Sequence, residues 1–350
     1  MVCSGPFLIF GEVPSERKDA LMTGSAAIKY TKKRSRAKDL IYRIWKYRWL
    51  YLILLPGMIY YIVFNFGPLP FLRIAFQKYS PQLELLGQGS PWMDPWYRNF
   101  QVFFSGKDFM HLLRNTLWLS VLGTLIGFPV PIILALMLNE MRNARVKRTL
   151  QSSLYLPHFI SWAVLASIVM MLIGPAPNGL VNSRLRAAGK PQIPFLESNE
   201  WFRPVYIIEG LWKGSGWGTI IYLSALSGVD EQLYEAAVID GAGRWKQMLH
   251  ITLPAISSTI VINLILKMGS FFDNGFDQIY LLQNSLNRDV AEVFDTYIYE
   301  VGLCGTFKPA RDISTYSYAS AIGIVKSVVS TGLVIGTNAL ANLIGDEGLF

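Results

Sequence analysis

Two lysines lie inside long apolar stretches of this sequence, where a positive charge is costly. Lys213 and Trp217 are four residues apart, and Phe271 and Asn274 follow Lys267 by four and seven residues, so each set shares one helical face. A lysine at the centre of a membrane helix costs roughly 2.5 to 3.5 kcal/mol, so it normally faces a cavity or a partner. Aromatic faces pack on the C–H surface of sugar rings, while ammonium and amide groups bond hydroxyls. These residues could therefore line a site for a polyhydroxylated solute.

The same residues fit two other roles. Trp217 and Phe271 are equally suited to packing against a neighbouring helix. Lys213 and Lys267 could also extend toward the membrane interface or form an internal ion pair. Spacing alone leaves these alternatives open.

The composition is that of an integral membrane protein. Of 350 residues, 52% are hydrophobic and 16% are charged, whereas soluble domains carry charge on roughly a quarter of their residues. The net charge of +8 does not indicate nucleic-acid binding. The basic residues are concentrated from Arg17 to Arg48, as in a cytoplasmic flank beside anionic lipid. Cys3 and Cys304 are far apart and the histidines are isolated, so no disulfide, metal site or redox centre is predicted.

The apolar stretches predict an all-α membrane protein with six transmembrane helices. Residues 1–47 are predicted to form a basic cytoplasmic segment, in which Met22 is an alternative start, and residues 48–345 one transmembrane domain. The loop after the second span is basic and the segment 273–314 is acidic, which places both termini in the cytoplasm. Within that acidic segment, the apolar residues between positions 290 and 301 predict an amphipathic helix at the outer face. The predicted spans cover about residues 48–66, 115–138, 154–173, 204–226, 253–272 and 316–343.

A more polar loop, residues 229–252, interrupts the apolar second half of the chain. The string EAA at residues 235–237 is followed after three residues by Gly241, and after nine more by ITLP at residues 251–254. The residues around EAA predict a short helix, which Gly241 and Gly243 would end or kink. The loop is therefore predicted to be a helix-turn-helix at a membrane surface.

This spacing resembles the EAA loop in the membrane subunits of binding-protein-dependent ABC importers. The resemblance implies a type I importer permease in the bacterial cytoplasmic membrane. Its implied partners are a second permease, in a heterodimer by family habit, two ATPases and an external solute-binding protein. The chain has no GxxxxGK[ST] motif, so no enzyme activity or cofactor of its own is predicted, and ATP and Mg²⁺ belong to the ATPases. In the family this loop docks on the ATPase, which implies a coupling role for Glu235, Ala236, Ala237, Asp240, Gly241 and Gly243.

From about Lys46 to Asn342, the chain is most similar to the carbohydrate-import permeases that include the larger maltose permease. Within them it is most similar to the LplB-like permeases for complex oligosaccharides. Two lysines at positions that are neutral in the maltose permease motivate the hypothesis of an acidic, uronate-containing oligosaccharide as cargo. A permease for peptides or amino acids would share the loop, and a channel would not need it; both remain alternatives. Counted without gaps from the loop, the sugar-contacting positions of the maltose permease fall on Lys213, Gly214, Trp217, Lys267, Phe271 and Asn274.

Overall fold

The computed structural model describes residue 42 and residues 45–80, 89–305 and 313–344. The chain divides into two units, residues 1–68 and residues 69–350. Most of the predicted basic segment, residues 1–47, lies outside the described residues, as does the end of the predicted transmembrane domain at residue 345.

The first unit contains one apolar helix. Helix α1 (Arg48–Tyr61) continues into a π-helical turn, Ile62–Phe66. Its side chains are exposed over the whole of this length. Because large apolar side chains are seldom exposed to water in an unbroken run, this surface is suited to lipid.

The second unit is helical over most of its described residues and begins with a 3-10 helix, Leu69–Phe76. Two of its helices, Asn199–Leu226 and Thr315–Ile344, have 28 and 30 residues, and several others are only one or two turns long. The α-helices are α2 (Arg98–Ser105), α3 (Lys107–Gly127), α4 (Pro129–Asn139), α5 (Ala144–Tyr155), α6 (Trp162–Ile173), α7 (Leu180–Ala187), α8 (Asn199–Leu226), α9 (Glu231–Ile239), α10 (Arg244–Gln247), α11 (Leu253–Ala255), α12 (Ser257–Gly269), α13 (Phe276–Leu282), α14 (Arg288–Ala291), α15 (Phe294–Gly302) and α16 (Thr315–Ile344).

Several of these segments could cross a membrane. By length and composition, three helical segments of the described residues qualify alone, and two bent helix pairs would raise the number to five. Helix α8 covers the predicted fourth span but does not qualify, because polar and charged residues such as Glu209 and Lys213 lower its hydropathy. The segments that qualify alone are Arg48–Phe76, Lys107–Asn139 and Thr315–Leu343.

The predicted third span, residues 154–173, is a broken helix. Segments Ala144–Phe159 and Trp162–Ile173 are bent by 105° at residues 160–161. The Ser161 hydroxyl accepts a hydrogen bond from the Val164 N–H at 3.3 Å and so begins helix α6. The chain therefore changes direction within the predicted span.

The predicted amphipathic helix is present in part, because the apolar residues between positions 290 and 301 are divided between two helices. Helix α14 ends at Ala291 and α15 begins at Phe294, because the backbone is extended at Val293. The Val293 N–H donates to Thr296 Oγ1 at 3.1 Å, which caps the second helix. Phe294 and Tyr297 of α15 are buried in a core cluster, so the apolar face of α15 packs against the interior of the fold.

An ion-pair network joins the helices that surround α13. Arg288 donates to Glu292 with Nε–Oε1 at 3.0 Å and also bonds Glu300. Burial raises the pKa of the Glu292 carboxyl, and the neighbouring Arg288 opposes this shift. Gln283, just after α13, donates to Glu300 at 3.4 Å. These bonds hold the start of α14 and the end of α13 against α15.

Candidate functional site

A cavity of about 440 Å³ lies among helices α3, α4, α8, α12 and α13 and the start of α6. Its walls include six glycines, which leave space between the helices, together with aromatic, amide and charged side chains. The lining residues are Gly123, Gly127, Phe128, Pro131, Trp162, Tyr206, Ile207, Gly210, Leu211, Gly214, Ser215, Gly218, Ile221, Tyr222, Asn263, Lys267, Asp273, Asn274, Gly275 and Gln278.

Lys267 is an exposed cation in the wall of this cavity. It lies near the end of α12, and among the described residues no carboxylate oxygen comes within 4.0 Å of its ammonium group. Asp273 also lines the cavity, but its carboxylate is paired with Lys326 of α16. Lys326 also bonds Asp295, at 2.6 Å. Within the described part of the chain, the Lys267 ammonium therefore has no counter-ion in contact.

Asn274 lines the cavity but is held by the surrounding helices. It is buried, and its Oδ1 accepts from the Ser120 hydroxyl at 3.0 Å while its Nδ2 donates to Thr116 O at 3.3 Å. Its backbone carbonyl accepts from the Tyr206 hydroxyl at 2.7 Å. Asn274 thus connects α3 with α8 at the edge of the cavity.

Lys213 has a structural partner outside the cavity lining. Its Nζ donates to His158 O at 3.0 Å and also to Ile160 O, at the bend before α6. The same ammonium lies 5.1 Å from the centre of the Trp162 ring. Lys213 therefore satisfies backbone carbonyls that the helix break leaves without helical partners.

Trp217 and Phe271 also lie outside the lining of the cavity. The Trp217 ring stacks on His158 at 4.6 Å between ring centres. Phe271 packs against a core cluster and contacts Phe272. Of the six residues predicted for the path, Gly214, Lys267 and Asn274 line the cavity, and Lys213, Trp217 and Phe271 contact other parts of the fold.

Several lining residues were missed by the sequence analysis. Trp162 supplies an aromatic face in the cavity, and its position depends on the bend before α6, which sequence spacing does not show. Asn263 precedes Lys267 by four residues, and Gln278 follows Asn274 by four. Helical spacing from Lys267 would have found Asn263, whereas Asn274 lies before α13 and does not share a helix with Gln278.

The EAA loop is a helix-turn-helix, as predicted. Helix α9 begins after Asp230, whose Oδ1 accepts from the Gln232 N–H at 3.0 Å. Gly241 has φ of 76° and ends the helix, in a backbone region that favours glycine. Gly243 has φ of −70° and instead precedes α10. The turn therefore depends on Gly241 for its left-handed residue.

The predicted coupling residues lie together on this loop. Glu235, Ala236 and Asp240 are exposed, and Ala237 is half-buried. Next to them, large apolar side chains are exposed to an extent that is unusual for a water-facing loop. These are Leu233 (51%), Val238 (64%), Ile239 (86%), Trp245 (76%) and Leu249 (54%).

The fold and the loop together define the membrane-spanning subunit of a transporter. Residues 108–345 match the family model of the binding-protein-dependent transport system inner membrane component. The chain belongs to this family. As in other permease subunits of ABC transporters, ATP hydrolysis is carried out by separate subunits.

Two relatives and two solved structures resemble most of the chain. Protein LplB of Bacillus subtilis is 43% identical over 97% of this chain and 99% of its own length. The polygalacturonan/rhamnogalacturonan transport system permease protein YteP of Bacillus subtilis is 45% identical over 91% and 95%. The crystal structure of a bacterial ABC transporter that imports the acidic polysaccharide alginate matches with a TM-score of 0.76 and 36% identity, over 87% of this chain and 99% of that one. A bacterial alginate ABC transporter with an alginate pentasaccharide-bound periplasmic protein matches with a TM-score of 0.75 and 36% identity, over 88% and 98%.

Proposed function

We propose that this permease carries uronate-containing oligosaccharides across the membrane through the cavity between α8 and α12. The observation that carries the proposal is the exposed Lys267 ammonium, which lies in the cavity wall with no carboxylate of the described residues in contact. Amide and hydroxyl groups of Asn263, Gln278 and Tyr206 line the same cavity, together with the Trp162 ring. A carboxylated sugar offers a carboxylate to the ammonium group, hydroxyls to the amide and hydroxyl groups, and a C–H surface to the Trp162 ring. The names of YteP and of the alginate transporter support the same class of cargo.

The assembly follows from the family. The chain would pair with a second permease, two ATPases that bind ATP and Mg²⁺, and an extracellular solute-binding protein. Both termini and the EAA loop would lie in the cytoplasm. The exposed apolar residues of the loop would contact the ATPase, with Glu235, Ala236, Ala237, Asp240, Gly241 and Gly243 at the interface.

The cargo assignment is tested with an oligogalacturonide and its carboxyl-reduced, neutral counterpart. In proteoliposomes that contain the complete transporter, the acidic oligosaccharide should be taken up in preference to the neutral one. Lys267→Gln should weaken uptake of the acidic cargo by about threefold to tenfold, because a charge-assisted hydrogen bond is lost, and leave the neutral cargo unchanged. Lys190→Gln, in the loop after α7, is the matched control and should change neither.

Two results would refute the assignment. One is wild-type uptake that prefers the neutral oligosaccharide. The other is Lys267→Gln uptake that retains the wild-type preference for the acidic one.

A further inference from the structure

Two hydrogen bonds hold the side-chain amide of Gln278 in the cavity wall. Its Nε2 donates to Tyr206 O at 2.8 Å and to Glu209 Oε2 at 3.1 Å. Its Oε1 accepts no hydrogen bond from the described residues, and the side chain lines the cavity with 5% of its surface exposed. Gly210 lies next to the amide, and its missing side chain leaves the amide uncovered, since a Cβ there would lie 3.6 Å from both amide atoms.

The orientation of this amide follows from its two partners. The Tyr206 carbonyl can only accept a hydrogen bond, and an ionised Glu209 can also only accept. A rotated amide would place Oε1 against both acceptors. Gln278 therefore presents an acceptor, rather than a donor, to the cavity.

Glu209 is placed to maintain this arrangement. It lies on α8 with 3% of its surface exposed, and it is not part of the cavity lining. One carboxylate oxygen accepts from Gln278, and the other is buried with no hydrogen-bond partner in the described residues. Burying a carboxyl group with an unsatisfied oxygen is costly. Among the described residues, its one side-chain hydrogen bond is to the Gln278 amide in the cavity wall.

We propose that Gln278 Oε1 accepts a hydrogen bond from a cargo hydroxyl and that Glu209 is the positioning residue that fixes this acceptor. The inference rests on the proposed function, because it assumes a carbohydrate in the cavity. Lys267 recognises the carboxylate, and Gln278 recognises a hydroxyl that acidic and neutral sugars share. Replacing Lys267 should therefore weaken uptake of the acidic cargo alone, whereas replacing Gln278 should weaken uptake of both cargoes.

The test of Gln278 uses the oligogalacturonide and its carboxyl-reduced counterpart in proteoliposomes with the complete transporter. Gln278→Met keeps the length of the side chain and removes the acceptor. It should raise the concentration for half-maximal uptake of both cargoes by the same factor, roughly threefold to tenfold for one hydrogen bond. Gln283→Met is the matched control, because Gln283 also donates to a glutamate but lies outside the cavity, and it should leave both uptakes unchanged.

A second variant tests the acceptor without breaking any of its bonds. Gly210→Ala adds a methyl group against the Gln278 amide and should also weaken uptake of both cargoes. Wild-type uptake by both Gln278→Met and Gly210→Ala would overturn the role of Gln278. A preference for neutral cargo in the wild type, with the Gln278→Met effect intact, would instead refute only the proposed acidic cargo.

A double-mutant cycle tests Glu209 as a positioning residue. Glu209→Gln retains an acceptor oxygen toward Gln278 and should keep most of the uptake, whereas Glu209→Met should approach the Gln278→Met defect. The double variant Glu209→Met with Gln278→Met should be no worse than Gln278→Met alone, because both changes remove one interaction. Effects that multiply in the double variant would overturn the positioning role.

Discussion

At the scale of single residues, Lys213 and Lys267 show how two similar sequence contexts lead to different roles. Both are lysines within apolar helices, and both were predicted to line the path. Lys213 donates to backbone carbonyls at the bend before α6, from a position 53 to 55 residues later in the chain. Lys267 remains exposed in the cavity. Helical spacing predicts which residues share a face, but it cannot predict that a distant helix breaks where Lys213 can reach it.

Asp273 places a negative charge in the same cavity as Lys267. Asp273→Asn should lower the concentration for half-maximal uptake of the oligogalacturonide by about twofold to fivefold, as expected for one partly exposed charge. Lys326 would keep its bond to Asp295. Asp277→Asn, on α13 and outside the cavity lining, is the control. Unchanged or weaker uptake of acidic cargo by Asp273→Asn would contradict the proposed electrostatics of the cavity.

At the scale of elements, the positions of the helices were more predictable than their breaks. Each of the six predicted spans overlaps helical segments, because long apolar runs determine where helices form. The break near residue 160 depends on the Ser161 cap and on carbonyls that Lys213 of a distant helix satisfies. The EAA loop was predicted well, because its turn needs one glycine at positive φ, and Gly241 provides it.

Gly216 allows α8 to pack closely against α5. A Cβ at this position would lie 1.9 Å from Leu154 O, a backbone atom that cannot move aside alone. Gly216→Ala should therefore destabilise the permease by about 1 to 3 kcal/mol, as overpacking does. The amount of folded permease in membranes and its thermal inactivation midpoint in detergent should both fall. Gly323→Ala, in α16 with open space around the new Cβ, should lower neither.

Gly241 gives a second prediction at this scale. Gly241→Asp should leave the permease inserted but abolish cargo-stimulated ATP hydrolysis, because the strained residue distorts the turn between α9 and α10. Gly189→Asp is the matched control, since Gly189 also has positive φ, of 67°, and open surroundings in the loop after α7. It should retain stimulation. Normal ATPase stimulation in the Gly241→Asp transporter would refute the coupling role of the loop.

At the scale of the whole molecule, the family could be predicted from the sequence more completely than the residues that line the cavity. The EAA motif lies within one continuous loop, so the spacing of its residues can be read directly from the sequence. The cavity wall is assembled from residues of six helices, and only Gly214, Lys267 and Asn274 of the predicted residues reach it. Trp162 and Gln278 reach it through a helix bend and through bonds to α8, which are tertiary features.

We expect the helical bundle to hold the cargo in its cavity and the EAA loop to transmit ATP-driven motion to the bundle. A photoreactive residue in place of Val238, which is 64% exposed on α9, tests this contact in the complete transporter. The expected result is a cross-link to the ATPase subunit that is absent when the same photoreactive residue replaces Gly189. A cross-link from position 238 to the extracellular solute-binding protein, or none to any nucleotide-binding subunit, would contradict the account.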